Sequence, residues 1–508
     1  DDLVGRLRGE RQRAVQAALD ALRSKAPQRE RVTAALASEL AIALEASPER
    51  PDETSLLKPL EIDVDRERAR FGAWYELFPR SWGGLRGLEE QLPQFAEFGF
   101  DVLYLPPIHP IGTTHRKGKN NAEKAKAGEP GSPWAIGGPE GGHTAVHPDL
   151  GSLEDFGRLV ARGRELGVEI CLDFAIQCSP DHPWLEEHPE WFHRRPDGTL
   201  KYAENPPKRY QDIYNVNFDT EDRLALWEAL RDVVLFWVGQ GVKVFRVDNP
   251  HTKPIAFWEW LIRTVRDRDP EIVFLSEAFT RPRIMETLAK AGFSQSYTYF
   301  TWRNTKAELV EYMTELARSS VREYFRPNFF ANTPDILHAY LQEGGRPAFE
   351  ARIVLAATLS PSYGIYSGFE HCENVPVRPG SEEYLDSEKY EGKRRKLDGP
   401  LLPLVAALNE ARRANPALQR IENISFLETE NDSLLAFAKR EASNVVVCCV
   451  NLDAQAAREG VVVVPASLGL PPAFHARDVL KGDSFGWRIG RNYVRLEPGQ
   501  SHVLVPEV

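Results

Sequence analysis

The chain has 508 residues, a formal charge of −11, 42% hydrophobic and 27% charged residues, a soluble-type balance with room for two or three domains. Its acidity and lack of basic runs exclude nucleic acid as the expected partner, and no apolar run approaches the roughly 18 residues of a membrane span. Its five cysteines, Cys171, Cys178, Cys372, Cys448 and Cys449, are odd in number and show no C-x-x-C pair, which fits a reducing, cytoplasmic setting and suggests no zinc site or other cofactor.

No basic-then-apolar leader opens the chain, which starts at Asp1 inside a helical pattern, as a fragment or processed form would. Residues 1–66 read as a helical segment. Leu3, Val4, Leu7, Val15, Ala18, Leu19 and Leu22 serve one amphipathic helix, and Val32, Leu36, Leu40, Ile42 and Leu44 a second; Pro27 separates them and the proline-rich stretch 47–51 ends the pair. No chemistry is visible there. From about residue 70, strand patterns at 71–78, 101–108, 168–177, 242–248, 272–277, 294–300, 327–331 and 364–367 alternate with helical ones such as 153–166, 224–238, 306–316 and 348–359. Eight such units predict an α/β fold, a closed (β/α)8 barrel over residues 67–420. Two connections, 109–148 and 179–220, are too long for simple loops and read as functional insertions. Beyond 420, short β runs at 424–428, 434–439, 444–451, 460–464, 491–496 and 501–505 predict an antiparallel β-sandwich over 421–508 with a structural role.

The chemistry gathers at strand ends. The apolar run 242–245 leads into Arg246 and Asp248, two apart and therefore on one face of a strand. A cation beside Asp248 keeps it ionised and aimed, as a carboxylate nucleophile must be, although a structural ion pair reads the same way. The strand at 272–277 ends in Glu277, and a helical pattern between the two makes a βαβ unit, which brings both acids to one end of a parallel sheet. Asp335 follows a third apolar run, 329–334. Lys208-Arg209, taken alone, reads as a solvated charge pair, and the loop histidines His109, His115 and His143 carry no metal pattern.

These residues resemble the α-amylase superfamily of retaining glycoside enzymes and, more narrowly, the α-1,4-glucan:maltose-1-phosphate maltosyltransferases. The matching segments include Trp74-Tyr75-Glu76-Leu77-Phe78-Pro79-Arg80, Asn205-Pro206-Pro207-Lys208-Arg209-Tyr210, Asp248-Asn249-Pro250-His251-Thr252-Lys253-Pro254 and Tyr384-Leu385-Asp386-Ser387-Glu388-Lys389-Tyr390. The resemblance implies Asp248 as nucleophile beside Arg246, Glu277 as acid/base with a pKa raised by burial and by Asp248, and Asp335 as stabiliser of an oxocarbenium-like state. It implies Asn205, Lys208, Tyr210 and Asn249 at the phosphate of a maltose 1-phosphate donor, and Gln177, Lys389, Tyr390 and either Lys117 or Lys119 at its sugars. The expected partners are that donor and an α-1,4-glucan acceptor. Gln177-Cys178 and Thr333-Pro334 stand where ordinary amylases carry Asn-His, which counts against plain starch hydrolysis. Family members begin with a β-sandwich that helps form a homodimer, so a dimer is expected only where that domain is present. Two other readings stay open: an α-glucan hydrolase or transglycosidase using the same triad, and a non-catalytic partner subunit. The second calls for lost acids and an adjacent membrane helix.

Overall fold

The computed structural model describes residues 4, 5, 7–45, 56, 57, 62–205 and 208–507. The chain forms two units, Asp1–Val64 and Asp65–Val508. In the first, the described residues include the helices α1 (Gly9–Arg23), α2 (Gln28–Ala35) and α3 (Ser38–Glu45), where two were expected. The second predicted helix breaks at Leu36 and Ala37, downstream of Thr33, whose hydroxyl bonds back to the Arg29 carbonyl at 2.9 Å in a way that bends helices. Leu7, Val15, Ala18, Leu40 and Ala43 form a small apolar cluster. The expected face of Val32, Leu36, Ile42 and Leu44 is exposed within this unit, and Leu3 lies outside the described residues.

The second unit holds the barrel. Its eight strands alternate with helices: β1 (Gly72–Glu76), α4 (Gly84–Glu97), β2 (Val102–Leu105), α5 (Leu153–Leu166), β3 (Glu169–Phe174), α6 (Arg223–Gly239), β4 (Val244–Val247), α7 (Ile255–Arg268), β5 (Val273–Ser276), α8 (Pro282–Lys290), β6 (Gln295–Ser296), α9 (Lys306–Arg318), β7 (Asn328–Phe330), α10 (Ala339–Leu359), β8 (Ser362–Tyr366) and α11 (Leu402–Ala414). All pairings are parallel, in the order β7-β8-β1-β2-β3-β4-β5-β6. A bridge from Ser296 to Pro327, with the Ser296 amide donating to the Arg326 carbonyl at 2.9 Å, closes the ring. The strand predicted over 294–300 is reduced to β6 because a 3₁₀ turn, Tyr299–Trp302, takes its second half.

Alternation along the strands sorts the side chains. Trp74, Tyr104, Cys171, Val244, Val273, Leu275 and Phe330 fill the barrel interior. Ala73, Leu103, Leu172, Phe245 and Phe274 face outward into the core beneath the helices. In α7, Phe257, Trp258, Leu261, Ile262 and Val265 form the buried stripe that the spacing predicts.

The insertion after β3, read as functional but with no strands assigned, belongs to a three-stranded antiparallel sheet. Its strands are Gln177–Cys178, Lys208–Asn215 and Tyr202–Asn205. Downstream, a six-stranded and a three-stranded antiparallel sheet face each other across a shared core that includes Leu434, Val447, Val462, Val464, Trp487, Leu496 and Leu504. Two of these strands, Ala473–Asp478 and Ser484–Arg488, have no counterpart in the sequence reading. The first alternates strictly between exposed and buried, but its buried positions are Phe474, Ala476 and Asp478, only one of them a large apolar residue.

Gly499 shows how closely the barrel packs on these sheets. Its φ is +65°, and a Cβ there would stand 2.0 Å from the Pro347 carbonyl oxygen. Gly499→Ala is therefore expected to lower stability by about 1–3 kcal/mol, read as a lower denaturant midpoint. An unchanged midpoint would show that this contact yields freely. Among the described residues no helix is long and apolar enough to cross a membrane.

Candidate active site

Strand parity carries the polar layer onto the carboxyl end of the barrel. Arg246 and Asp248 follow Val244 inward, Glu277 follows Val273 and Leu275, and Asp173 follows Cys171. The ladder continues past β4 and β5, since Asp248 N–H donates to the Phe174 carbonyl and Glu277 N–H to the Val247 carbonyl, each at 3.1 Å. One guanidinium then ties three acids together. Arg246 Nη1 lies 2.7 Å from Asp248 Oδ1 and 3.0 Å from Asp173 Oδ2, and its Nη2 lies 3.0 Å from Glu277 Oε1. Burial works against charge on Arg246, but Asp173, Glu277 and Asp248 outweigh it and hold the guanidinium protonated.

The carboxylates are not equivalent. Asp248 Oδ2 receives only a long 3.3 Å contact from Asn249 Nδ2, so it is the less occupied oxygen. Glu277 Oε2 accepts the Asn249 amide at 3.1 Å. Burial, reinforced by Asp248 and Asp335 and opposed by Arg246, pushes Glu277 up to about 8, which leaves it protonated near neutrality. Asn249 offers both its amide and its side chain because it adopts a left-handed conformation (φ 43°, ψ 52°), which asparagine tolerates better than most residues. Asp335 departs from the expected strand end. β7 stops at Phe330, and Asp335 sits on a tight turn bridged between Thr333 and Ile336, where Lys389 Nζ reaches its Oδ1 at 2.5 Å.

These groups line a cavity of about 660 Å³ together with Lys117, Gln177, Tyr210, Lys389 and Tyr390. Lys117, rather than Lys119, reaches it: Lys117 is buried and donates to Gln211 Oε1 at 2.5 Å, whereas Lys119 pairs with Asp386 and Glu391 at the surface. Lys389 is held beneath the Trp134 ring, 5.2 Å from its centroid. Its loop is anchored by buried Glu388, which accepts from Tyr366 Oη at 2.8 Å and pairs with Arg395 at 2.7 Å. Asn205 and Lys208 face each other in the insertion hairpin, but their side chains lie outside what the structure describes, as do residues 206 and 207. Cys178, beside Gln177, is fully buried and is not among the residues that line the cavity.

Three residues of this layer are absent from the sequence-derived set. Asp173 anchors Arg246 and also accepts Tyr104 Oη at 2.6 Å and Trp134 Nε1 at 3.2 Å. Burial raises it to about 6 against the pull of Arg246. Glu76, which follows Trp74 on β1, is buried with its Oε2 lacking a partner among the described residues. Asp212 lines the cavity on the strand Lys208–Asn215, 1% exposed, and neither of its oxygens has a partner among the described residues. Burial raises it to about 6, with Lys117 and Lys389 pulling the other way. Such a carboxylate is a ready acceptor for hydroxyl groups entering the cavity. Its signal was parity: Tyr210 and Asp212 are two apart on one strand.

The buried cluster of His143, Cys178 and His182 has its donor atoms within 4.8 Å of one another. Its hydrogen bonds are already committed. His182 Nδ1 accepts the Trp184 amide at 3.1 Å, so its proton is on Nε2, which meets His143 Nδ1 at 3.0 Å; His143 Nε2 faces the Ala175 carbonyl at 3.0 Å. A metal on His182 Nε2 would leave the ring without the proton that this arrangement assigns it. The cluster reads as a clasp between the two insertions.

The family described as "GLGE, C-terminal" matches residues 426–508. The alpha-1,4-glucan:maltose-1-phosphate maltosyltransferase 1 of Streptomyces coelicolor is 54% identical over 98% of this chain and 76% of its own length. That of Chlorobaculum tepidum is 51% identical over 92% and 73%. Among solved structures, a maltogenic alpha-amylase, AmyB, from Thermotoga neapolitana superposes with a TM-score of 0.67 at 18% identity, over 87% of this chain and 99% of its own. An alpha-amylase from Geobacillus thermoleovorans gives 0.66 at 15%, over 86% and 98%; both likenesses speak to the fold alone. The extent of the sequence identity to the Streptomyces and Chlorobaculum proteins decides the family: this chain belongs to the α-1,4-glucan:maltose-1-phosphate maltosyltransferases.

Proposed function

We propose that this chain transfers a maltosyl unit from α-maltose 1-phosphate to the non-reducing end of an α-1,4-glucan, releasing phosphate with retention of configuration. The observation that carries the reading is the Arg246 clamp on Asp248 and Glu277 inside a polar cavity. A retaining pair stands about 5–5.5 Å apart, a span of the size one shared guanidinium bridges. Asp248 Oδ2 attacks the anomeric carbon, the bond from that carbon to the phosphate oxygen breaks, and Glu277 gives its proton to the departing phosphate. Glu277 then takes the proton of an acceptor 4-hydroxyl as that oxygen attacks the carbon and frees Asp248. Asp335 supports the positive charge that develops on the sugar in the transition state of each step. Tyr210, Asn249, Asn205 and Lys208 hold the phosphate, and Lys117, Gln177, Asp212, Lys389 and Tyr390 hold the sugars.

The two insertions wall the cavity, which favours a hydroxyl positioned by binding over mobile water. All five cysteines are free and four are buried, which suits a reducing, cytoplasmic setting. A homodimer goes with the family's N-terminal β-sandwich where that domain is present. The exchange largely conserves the energy of the glycosidic bond, so it should run backwards. Excess phosphate with a maltooligosaccharide is expected to regenerate maltose 1-phosphate. Free maltose as the main product, with or without phosphate, would favour the hydrolase instead.

A further inference from the structure

We infer that Lys253 is a second cationic contact for the phosphate of the donor and of the released product, on the leaving-group side of the cavity. The inference rests on the maltosyl transfer proposed above and adds to it a residue that holds the leaving anion. A phosphate dianion entering this cavity meets five carboxyl groups, Asp248, Glu277, Asp335, Asp212 and Glu204, so it needs cations that are not already committed. Arg246 is shared among Asp173, Asp248 and Glu277. Lys389 is paired with Asp335, and Lys117 is bonded to Gln211. Two further lysines line the same cavity: Lys201 is exposed, whereas Lys253 is partly buried, and its ammonium has only a 3.4 Å contact to the Asn249 carbonyl, with no carboxylate within ion-pair distance among the described residues.

Its placement follows from the turn after β4. Left-handed Asn249 opens a 3₁₀ turn, Pro250–Thr252, which reverses the chain and returns Lys253 to the carbonyl of the residue next to the nucleophile. The same turn points the Asn249 amide at Glu277, the acid that faces the leaving group. It also carries His251, whose Nδ1 is buried without a partner among the described residues. Burial lowers the Lys253 pKa while Asp248 and Glu277 raise it, so an arriving dianion would favour the charged form further. Lys253 stays protonated throughout: the electron pair of the breaking bond goes to the phosphate oxygen and the proton comes from Glu277. The ammonium holds the charge that results.

The test titrates inorganic phosphate into the wild-type protein, Lys253→Met and Lys253→Arg, with maltose titrated in parallel and the thermal midpoint measured for each. Lys253→Met is expected to weaken phosphate binding about tenfold or more, to leave maltose binding within about twofold, and to keep its midpoint. Lys253→Arg, which keeps the charge, should restore most of the phosphate affinity. Unchanged phosphate binding by Lys253→Met, or equal losses for phosphate and maltose, would overturn the assignment. Because the titration reads the ion alone, its result is separate from that of turnover: a wild-type protein that releases no phosphate from maltose 1-phosphate would remove the transferase reading, whatever Lys253 binds.

Discussion

Asp248→Ala is expected to reduce transfer by about 10⁴- to 10⁶-fold, the scale on which nucleophile removal acts in other covalent enzymes, while leaving the fold intact. Asp248 is one of three acids on Arg246. Without it the guanidinium keeps Asp173 at 3.0 Å and Glu277 at 3.0 Å, so no buried charge is stranded. Activity assays set beside a thermal melt separate the two effects. Near-normal turnover would mean that another group attacks the sugar. Loss of activity with a collapsed melting temperature would mean that Asp248 serves the fold.

Glu277→Gln is expected to lower turnover of the phosphate donor by about 10²- to 10⁴-fold, the usual worth of general acid–base catalysis. It should also change the pH dependence of stability in a direction that follows from the site. An ordinary glutamate titrates at 4.5, and burial moves Glu277 to about 8. The stability this proton provides is complete below the ordinary value and is lost as pH rises through the folded one. The wild-type protein must therefore bury a costly carboxylate above about pH 8, which a neutral glutamine avoids. Melts of both proteins across pH should show the variant gaining on the wild type as pH rises toward about 9 and no such gain near pH 4. A constant difference across that range would place Glu277 in contact with water. The same titration predicts that wild-type turnover falls as pH passes above about 8, because the acid needed for the first step is gone.

The parts of this site that could be read from sequence are those set by strand geometry. Two-residue spacing put Arg246 and Asp248 on one face, and the helical stripe between them and Glu277 made the strands parallel, as β4, α7 and β5 are. Asp335 could not be placed that way: the apolar run 329–334 put it at a strand end, but it lies on a turn beyond β7. The insertion sheet was missed because its strands are polar and aromatic and draw their order from tertiary contacts rather than from an apolar repeat. Asp212 was missed with it. Asp173 stood inside the predicted strand 168–177, but its role as the anchor of Arg246 depends on the register that pairs it with that residue across β3 and β4. The third N-terminal helix and the two unpredicted strands near the carboxyl terminus fell where local preference is weak and neighbouring elements decide.

The central claim is that the maltosyl unit passes intact from phosphate to a glucan. Chromatography of the products formed from maltose 1-phosphate and a defined maltooligosaccharide tests it most directly, with phosphate assayed in the same samples. The expected products are a ladder of chains growing by two glucose units, with one phosphate released for each step. Phosphate release accompanied by free maltose, with no two-unit ladder at saturating acceptor, would contradict it.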